Sequence, residues 1–556
     1  MNRKLRSLAA ALAALLMVLS FVPAALAEGD VTEPQEVFTE VHDPETDTYT
    51  NNDVTKAYDG SIVVVNEDEE AGGQIALNVT ANEYTATVEV AGDVVSTDPY
   101  GYADGLYATA YDEGNAQVHV GGDVIADGDS ETWTTYLRAY ADSAVDVTID
   151  GSLAGTSADG YIRGLYGEAD GGDVVIAVGG DVSMSGVGED TDNGYAVGVF
   201  FAAYDEGSAQ ITVDGSVTAT ATGEDDRATG VYLFAYVDGA AQVDVAGDVT
   251  VSTPSEDDTA YALSANGVSG DAVITVGGDV ASNEYGVYMH ADQLGEDAPQ
   301  GTAAVVIGGT LSGDVYPVIL CEDLTEEDVE SGNVALTVWR VALGEDQEHI
   351  VTQWVEDEET WDWSIQHSET AEAMEKAIRY IVKTEEQEGA TLTLAGTTKD
   401  GDYDVALEGD TVSLQVSLAD GFKFYGAYNG LEEKVLLAKN ADGSYALVVP
   451  KCGGVIFSLD LEKMFNSAPA CADGVETADG AVAYVTFYQN GTYELACGSR
   501  YDRGAYALEN GEVKLTSLSG AEMTVAEDGA LAYVFADGTE LKLTLTEAML
   551  SALKAA

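Results

Sequence analysis

Basic residues are scarce in this chain: 22 Lys+Arg stand against 99 Asp+Glu in 556 residues, a formal charge of −77. No lysine occurs between Lys56 and Lys376. A nucleic-acid binder must neutralise phosphates with Lys and Arg, so that class is excluded. Anionic membranes and polyanionic substrates are disfavoured by the same repulsion. The four cysteines (Cys321, Cys452, Cys471, Cys497) contain no CxxC pair, which removes the usual zinc-finger spacings. In an exported chain they allow two disulfides in three connectivities, with Cys452–Cys471 favoured by proximity alone. A charge this high would suit a disordered chain, but 46% hydrophobic residues and 30 tyrosines point to a folded one.

Long apolar runs are also missing, with one exception at the start. Arg3, Lys4 and Arg6 precede an apolar run from Leu8 to Val22 and then Ala25-Leu26-Ala27. These are the three parts of a secretory signal peptide over 1–27. A secreted, extracellular or cell-surface location is expected, with 19 Lys+Arg against 99 Asp+Glu after the leader's three basic residues are removed. No cysteine follows the run to take a lipid, and no later stretch approaches the roughly 18 apolar residues of a membrane span.

Regularity is what the chain has. Gly-[Asp/Ser/Thr]-[Val/Leu] recurs with its glycine at 92, 122, 151, 180, 215, 247, 278 and 309, at intervals of 30, 29, 29, 35, 32, 31 and 31, and Gly60-Ser61-Ile62 adds an outlying copy. A period of this size means one supersecondary unit stacked on itself. Between copies lie three stretches of period-two alternation separated by turn residues, as in Gly105–Tyr111, Ala116–Val120 and Gly121–Val124. Three short strands per repeat without a helix predict a parallel, right-handed β-helix solenoid. The expected fold is all-β: about nine to ten coils of about 31 residues, followed by two small β domains. In the middle strand Ala116, Val118 and Val120 recur as apolar columns that face inward, while Gln117, His119 and their counterparts face out. The Asp/Ser/Thr after each glycine is read as a turn-stabilising hydrogen-bond acceptor, with the glycine at positive φ. A calcium ligand column would not readily accept Ser152 and Ser216. No cofactor and no built-in metal are expected. Adventitious Ca2+ suits the acidic loops around Glu189, Glu224 and Glu256.

The first strand of each coil carries aromatics. Tyr107, Tyr136, Tyr166, Phe200, Tyr232 and Tyr288 form one column, in which the sequence spacing also places Leu263 and Tyr316. Tyr111, Tyr140, Tyr204 and Tyr236 form a second column four residues on. Between them run Thr109, Arg138, Glu168, Ala202, Phe234, Ala265 and His290. Arg138 and Glu168 resist burial, so the strip is expected to face solvent, with rungs about 4.8 Å apart. Stacked tyrosines stabilise a sheet by themselves, and a wide apolar-aromatic strip also marks binding surfaces. Both readings stand at this level.

By composition the chain divides into the leader 1–27, an acidic segment 28–53, the solenoid 54–345, a cap or linker 346–377 with a short helix N-capped by Ser368, a β domain 378–463 and a C-terminal β-meander 474–556 ending in a helix. The 378–463 segment reads Glu408-Gly409-Asp410-Thr411-Val412-Ser413-Leu414, Asp420-Gly421-Phe422-Lys423-Phe424 and Asn440-Ala441-Asp442-Gly443-Ser444-Tyr445. It resembles the internalin-type B repeat of bacterial surface proteins, with Gly426-Ala427-Tyr428 where that family commonly has Gly-Trp. The resemblance implies a small spacer or adhesive module and carries no catalytic residue. The whole plan resembles secreted bacterial β-helix adhesins, which implies a glycan or a host or microbial surface protein as partner. Polysaccharide lyases and glycosidases also use β-helices. A lyase needs a base and cationic groups, and beyond Lys56 at its start the solenoid offers only Arg138, Arg163, Arg227 and Arg340. A binder is therefore expected before an enzyme, with a spacer lacking any discrete ligand as the alternative.

Overall fold

A computed structural model describes residues 29–43, 48–66, 72–158, 160–186, 195–223, 226–254, 259–295, 298–356, 363–419, 422–431, 434–463, 469–477, 482–497, 500–509, 512–518, 520–535 and 538–555. The signal-peptide segment and most of the acidic loops near 189, 224 and 256 lie outside these residues. The fold is all-β, with a parallel β-solenoid of about nine turns spaced about 31 residues apart and additional small sheets. Two compact units are formed. The first runs to Ile381 and includes Lys399–Gly409 and Val449–Gly454; the second comprises Val382–Thr398, Asp410–Val448 and Val455–Ala556.

One coil of the first unit consists of strands Ala103–Tyr111, Asn115–Val120 and Val124–Gly128. The long first strands stack in parallel in a 12-stranded sheet, and the two shorter strands of each coil join a 21-stranded sheet. Register follows the apolar columns. Ala116 lies opposite Val145, which lies opposite Val174, then Ala209, Ala241 and Ala272. These residues are fully or almost fully buried, so the repeat's alternation does set the inner face.

The Gly-Asp phrase has a different cause from the one its composition suggests. None of the nine phrase glycines is at positive φ. The side chain after each glycine accepts the backbone N–H of its counterpart one coil later, not of its own turn. The chain of acceptors runs Asp30, Ser61, Asp93, Asp123, Ser152, Asp181, Ser216, Asp248 and Asp279, ending on the Thr310 N–H, at 2.7–3.1 Å throughout. A Cβ on Gly122 would fall on Oδ1 of Asp93, and one on Gly151 on Oδ1 of Asp123, well inside 3.0 Å. Glycine is needed there for room, and either a carboxylate or a hydroxyl satisfies the ladder. At about 1 kcal/mol per bond, this column helps hold the coils in register.

Positive φ appears elsewhere, at the turn leaving the first strand. Asp112 and Glu113, Ala141 and Asp142, Asp205 and Glu206, and Val237 and Asp238 all have positive φ. Each pair is closed by a bond such as Gly114 N–H to Tyr111 O, 2.8 Å. Two consecutive positive-φ residues in a closed four-residue turn are the type I′ pattern.

After the last full coils, helix Glu326–Ser331 is held by a Thr325/Asp328 capping box and ends at Gly332, φ 81°. Helix Glu369–Ala377 is capped by Ser368. The 378–463 segment is divided between the units. Arg379–Ile381 pairs with Tyr403–Ala406 in the solenoid's sheet, because Tyr380 is wholly buried there and Arg379 meets Asp400 at 3.5 Å. Ala390–Ala395, Thr411–Leu418 and Tyr445–Val448 form a three-stranded sheet of the second unit instead. Among the described residues the C-terminal meander starts at Pro469 and has a six-stranded sheet followed by the hairpin Ala530–Val534 and Glu540–Thr544. Its core centres on Phe487, Tyr493 and Tyr533, with Met549 and Leu553 of helix Glu547–Ala555 packed in. All four cysteines are free thiols, so the Cys452–Cys471 pairing is not formed; the two lie in different compact units.

Candidate functional site

The first strands carry the aromatic column because parallel register sets like against like. Tyr107 pairs with Tyr136, Tyr136 with Tyr166, Tyr166 with Phe200 and Phe200 with Tyr232. Their rings are stacked, with centroids 4.8, 5.4, 4.9 and 5.0 Å apart and planes within 18° of parallel. The next register position holds Ser264 rather than Leu263. Leu263 faces the core, and Ser264 is itself buried. Tyr288 occupies the position after Ser264, while Tyr316 falls opposite Tyr285 in another column. The column is therefore five rings long, from Tyr107 to Tyr232, with Tyr288 beyond the break.

In the second column Tyr111 and Tyr140 stack at 4.8 Å, and Tyr204 and Tyr236 meet edge-on at 6.3 Å. Asp170 occupies the position between these pairs. The intermediate column contains Asn266, not Ala265, next to His290. Tyr111 is exposed and the other ring residues of both columns are half-buried, so the strip faces outward.

Two features were not visible in the alternation. In each strand two successive residues, such as Thr134 and Thr135, or Gly164 and Leu165, both face the core. This breaks the parity and turns Trp133 outward on the same side as Tyr136. Trp133 stacks on Tyr136 at 4.6 Å and lies 4.8 Å from Tyr166. The second feature is Asp104, only 4% exposed, which accepts the Trp133 N–H at 2.9 Å and the Tyr107 hydroxyl. Burial pushes its carboxyl up to about 7, partly opposed by those two bonds. The run of small residues Gly105, Gly164, Gly198 and Gly230 before the tyrosine column is the sequence signal that could have revealed the parity break.

Charge on this strip is local and paired. Arg138 meets Glu168 at 2.9 Å and lies 4.4 Å over the Tyr140 ring. Arg163 lies 5.1 Å over both Trp133 and Tyr166 and meets Glu131 at 3.4 Å. The Tyr166 hydroxyl donates to Glu168 at 2.5 Å. Burial raises the phenols of Tyr107, Tyr166 and Tyr232 above the ordinary value, so they stay neutral. Stacked rings cover each other's faces, so what they turn outward once per coil is ring edge; Phe200 carries no hydroxyl, and those of Tyr107 and Tyr166 donate to Asp104 and Glu168.

The chain matches no protein-family model, no curated protein and no solved structure. The strip must be judged on its own chemistry, which consists of apolar ring edges, neutral phenols and a few paired charges. His119 lies on the polar outer column between Glu89 (2.8 Å) and Asp150 (3.2 Å), and the bond to Glu89 chiefly raises its pKa. Two clusters near the end of the solenoid have metal-ligating chemistry: His290, Cys321 and Asp323, and His349, His367 and Glu375. Burial pushes the Cys321 thiol up to about 11, which disfavours the thiolate that a metal would need. No helix among the described residues is long and apolar enough to cross a membrane.

Proposed function

We propose that the protein is an adhesin-like binding solenoid, exported by its leader and displayed outside a bacterial cell. Its strip from Tyr107 to Tyr236 engages an extended glycan or a surface protein. The observation that carries the reading is the row of half-buried aromatic side chains facing outward on a surface otherwise dominated by acids. Aromatic residues with polar tips are favoured contact groups, because they give large area at low entropic cost. The ring faces are spent on each other, so a glycan would meet ring edges along the row, with the hydroxyls of Tyr136 and Tyr232 as donors among them. It would stack only where the column ends, at Tyr107, which follows Asn78, and at Tyr232, where Ser264 replaces the next ring. The uniform strand register supports a binder rather than an enzyme, since among the described residues the first strands between Ala103 and Asp292 pair coil to coil without a cleft between them.

A spacer role is the second reading, favoured by the same mutual stacking: rings that satisfy each other need no ligand. Screening the mature chain from residue 28 onward against arrayed glycans and extracellular-matrix proteins separates the two. A Tyr136→Ser/Tyr232→Ser variant serves as comparison, because the column already accepts serine at Ser264. Binding that the variant loses supports the adhesin reading. Silence from both leaves the spacer, and equal binding by both removes the strip from the contact and places it elsewhere on the chain.

A further inference from the structure

Two of the chain's five histidines meet at the end of the solenoid, where the repeat gives no reason for them. The rings of His349 and His367 lie 3.7 Å apart and 13° from parallel. Glu375 joins them, with one ligating atom of each residue within 4.8 Å of the other two. The three come from separate elements. His349 precedes strand Val351–Glu356, His367 follows strand Trp363–Gln366, and Glu375 lies on helix Glu369–Ala377. We propose that His349, His367 and Glu375 bind a divalent transition-metal ion of the Zn2+ class and so clip these elements together.

The surroundings orient each donor. Nδ1 of His367 lies 3.0 Å from the Val351 carbonyl. A carbonyl only accepts, so Nδ1 carries the proton and Nε2 presents its lone pair. That is how metal-binding imidazoles are commonly fixed. Glu375 Oε1 accepts the Ile350 N–H at 2.5 Å and the Val351 N–H at 3.2 Å, which holds the carboxylate in place with Oε2 available. His349 Nδ1 is 3.9 Å from that same Oε1, and its side chain is 42% exposed. It can therefore rotate inward.

Two imidazoles and one carboxylate suit Zn2+, with a fourth position for water. Ca2+ and Mg2+ prefer all-oxygen sets. Zn–N of about 2.0–2.1 Å and Zn–O of about 2.0–2.2 Å require the donors to close by roughly 1 Å from their present spacing, which rotation of His349 supplies. The other cluster, around Cys321, has its thiol directed at Glu322 at 3.1 Å and serves as the internal control.

The test uses the mature full-length chain, stripped with chelator and titrated with Zn2+ alone by calorimetry under excess Mg2+, which occupies the acidic surface. One Zn2+ per chain that Mg2+ does not displace is expected, together with a higher thermal midpoint. His349→Ala, His367→Gln and Glu375→Gln should each weaken binding by more than about 100-fold, since even outer-shell partners are worth about 10–100-fold. Cys321→Ser should change nothing. His349→Ala is the decisive variant, because its exposed side chain can be lost with the apo fold intact, as circular dichroism and the apo midpoint will check. Co2+ in place of Zn2+ should give visible d–d bands without a thiolate charge-transfer band. Zn2+ uptake that Mg2+ abolishes, unchanged affinity in His349→Ala, or a thiolate band that disappears in Cys321→Ser would each overturn the assignment.

Discussion

Replacing Asp104 by asparagine isolates a pH effect built into the aromatic strip. The carboxyl is 4% exposed and held at about 7, against 3.8 for a free aspartate, by burial above all. A raised acid binds its proton more tightly in the folded chain. Between about pH 4 and pH 7 the unfolded chain has therefore released a proton that the folded chain keeps. Stability falls as pH rises through that window, and the contribution is flat on either side. A shift of about 3 units at 1.36 kcal/mol each makes the loss about 4 kcal/mol. An asparagine side chain keeps an oxygen for the Trp133 N–H and carries no charge, so Asp104→Asn should escape the loss. Urea unfolding of both proteins at about pH 4 and pH 8, followed by Trp fluorescence, measures the difference between them. That difference cancels the other carboxylates. It should grow in favour of the variant by several kcal/mol towards pH 8. A difference that stays constant within about 1 kcal/mol would refute a buried, protonated Asp104.

Three further substitutions test the structural reasoning. Gly122→Ala places a Cβ on Asp93 Oδ1 and against the Gly92 and Asp93 backbone, and should cost about 1–3 kcal/mol by denaturant midpoint, although Gly122 is not at positive φ. Val237, a β-branched residue at φ 45°, should be improved by Val237→Asn, with a gain of about 1 kcal/mol in the same assay, since asparagine tolerates that region. Tyr166→Phe keeps the ring stack and removes only the bond to Glu168. It should cost about 1 kcal/mol in stability, and a much larger loss would mean that the hydroxyl supports more than Glu168.

The solenoid was legible because its information is periodic. Val118, Val147 and Ile176 sit at one position of the repeat, and spacing alone puts them on one inner face. The Gly-Asp phrase was legible as a repeat but not as a mechanism. Local turn chemistry and a bond to the next coil select the same residue types, and only the distance from Asp93 to the Asp123 N–H separates them. The tyrosine column was read correctly from Tyr107 to Tyr232. It failed at Leu263 and Tyr316, where the neighbouring coils shift spacing and counting loses register. Trp133 escaped because two successive inward residues reverse the parity that period-two reasoning assumes. Asp104 escaped because one acid among 99 Asp+Glu carries no mark of burial. The His349–His367–Glu375 cluster is assembled by helix and strand ends that no repeat encodes.

Oxidative surface labelling of tyrosine in the mature chain, with and without the glycan or protein retained in the binding screen, tests the central claim most directly. If the strip is the contact surface, the partner should protect Tyr111, Tyr136, Tyr140 and Tyr166. Exposed Tyr484 and Tyr501 of the second unit should label as before. Protection confined to the second unit, or unchanged labelling along the strip under saturating partner, would contradict it.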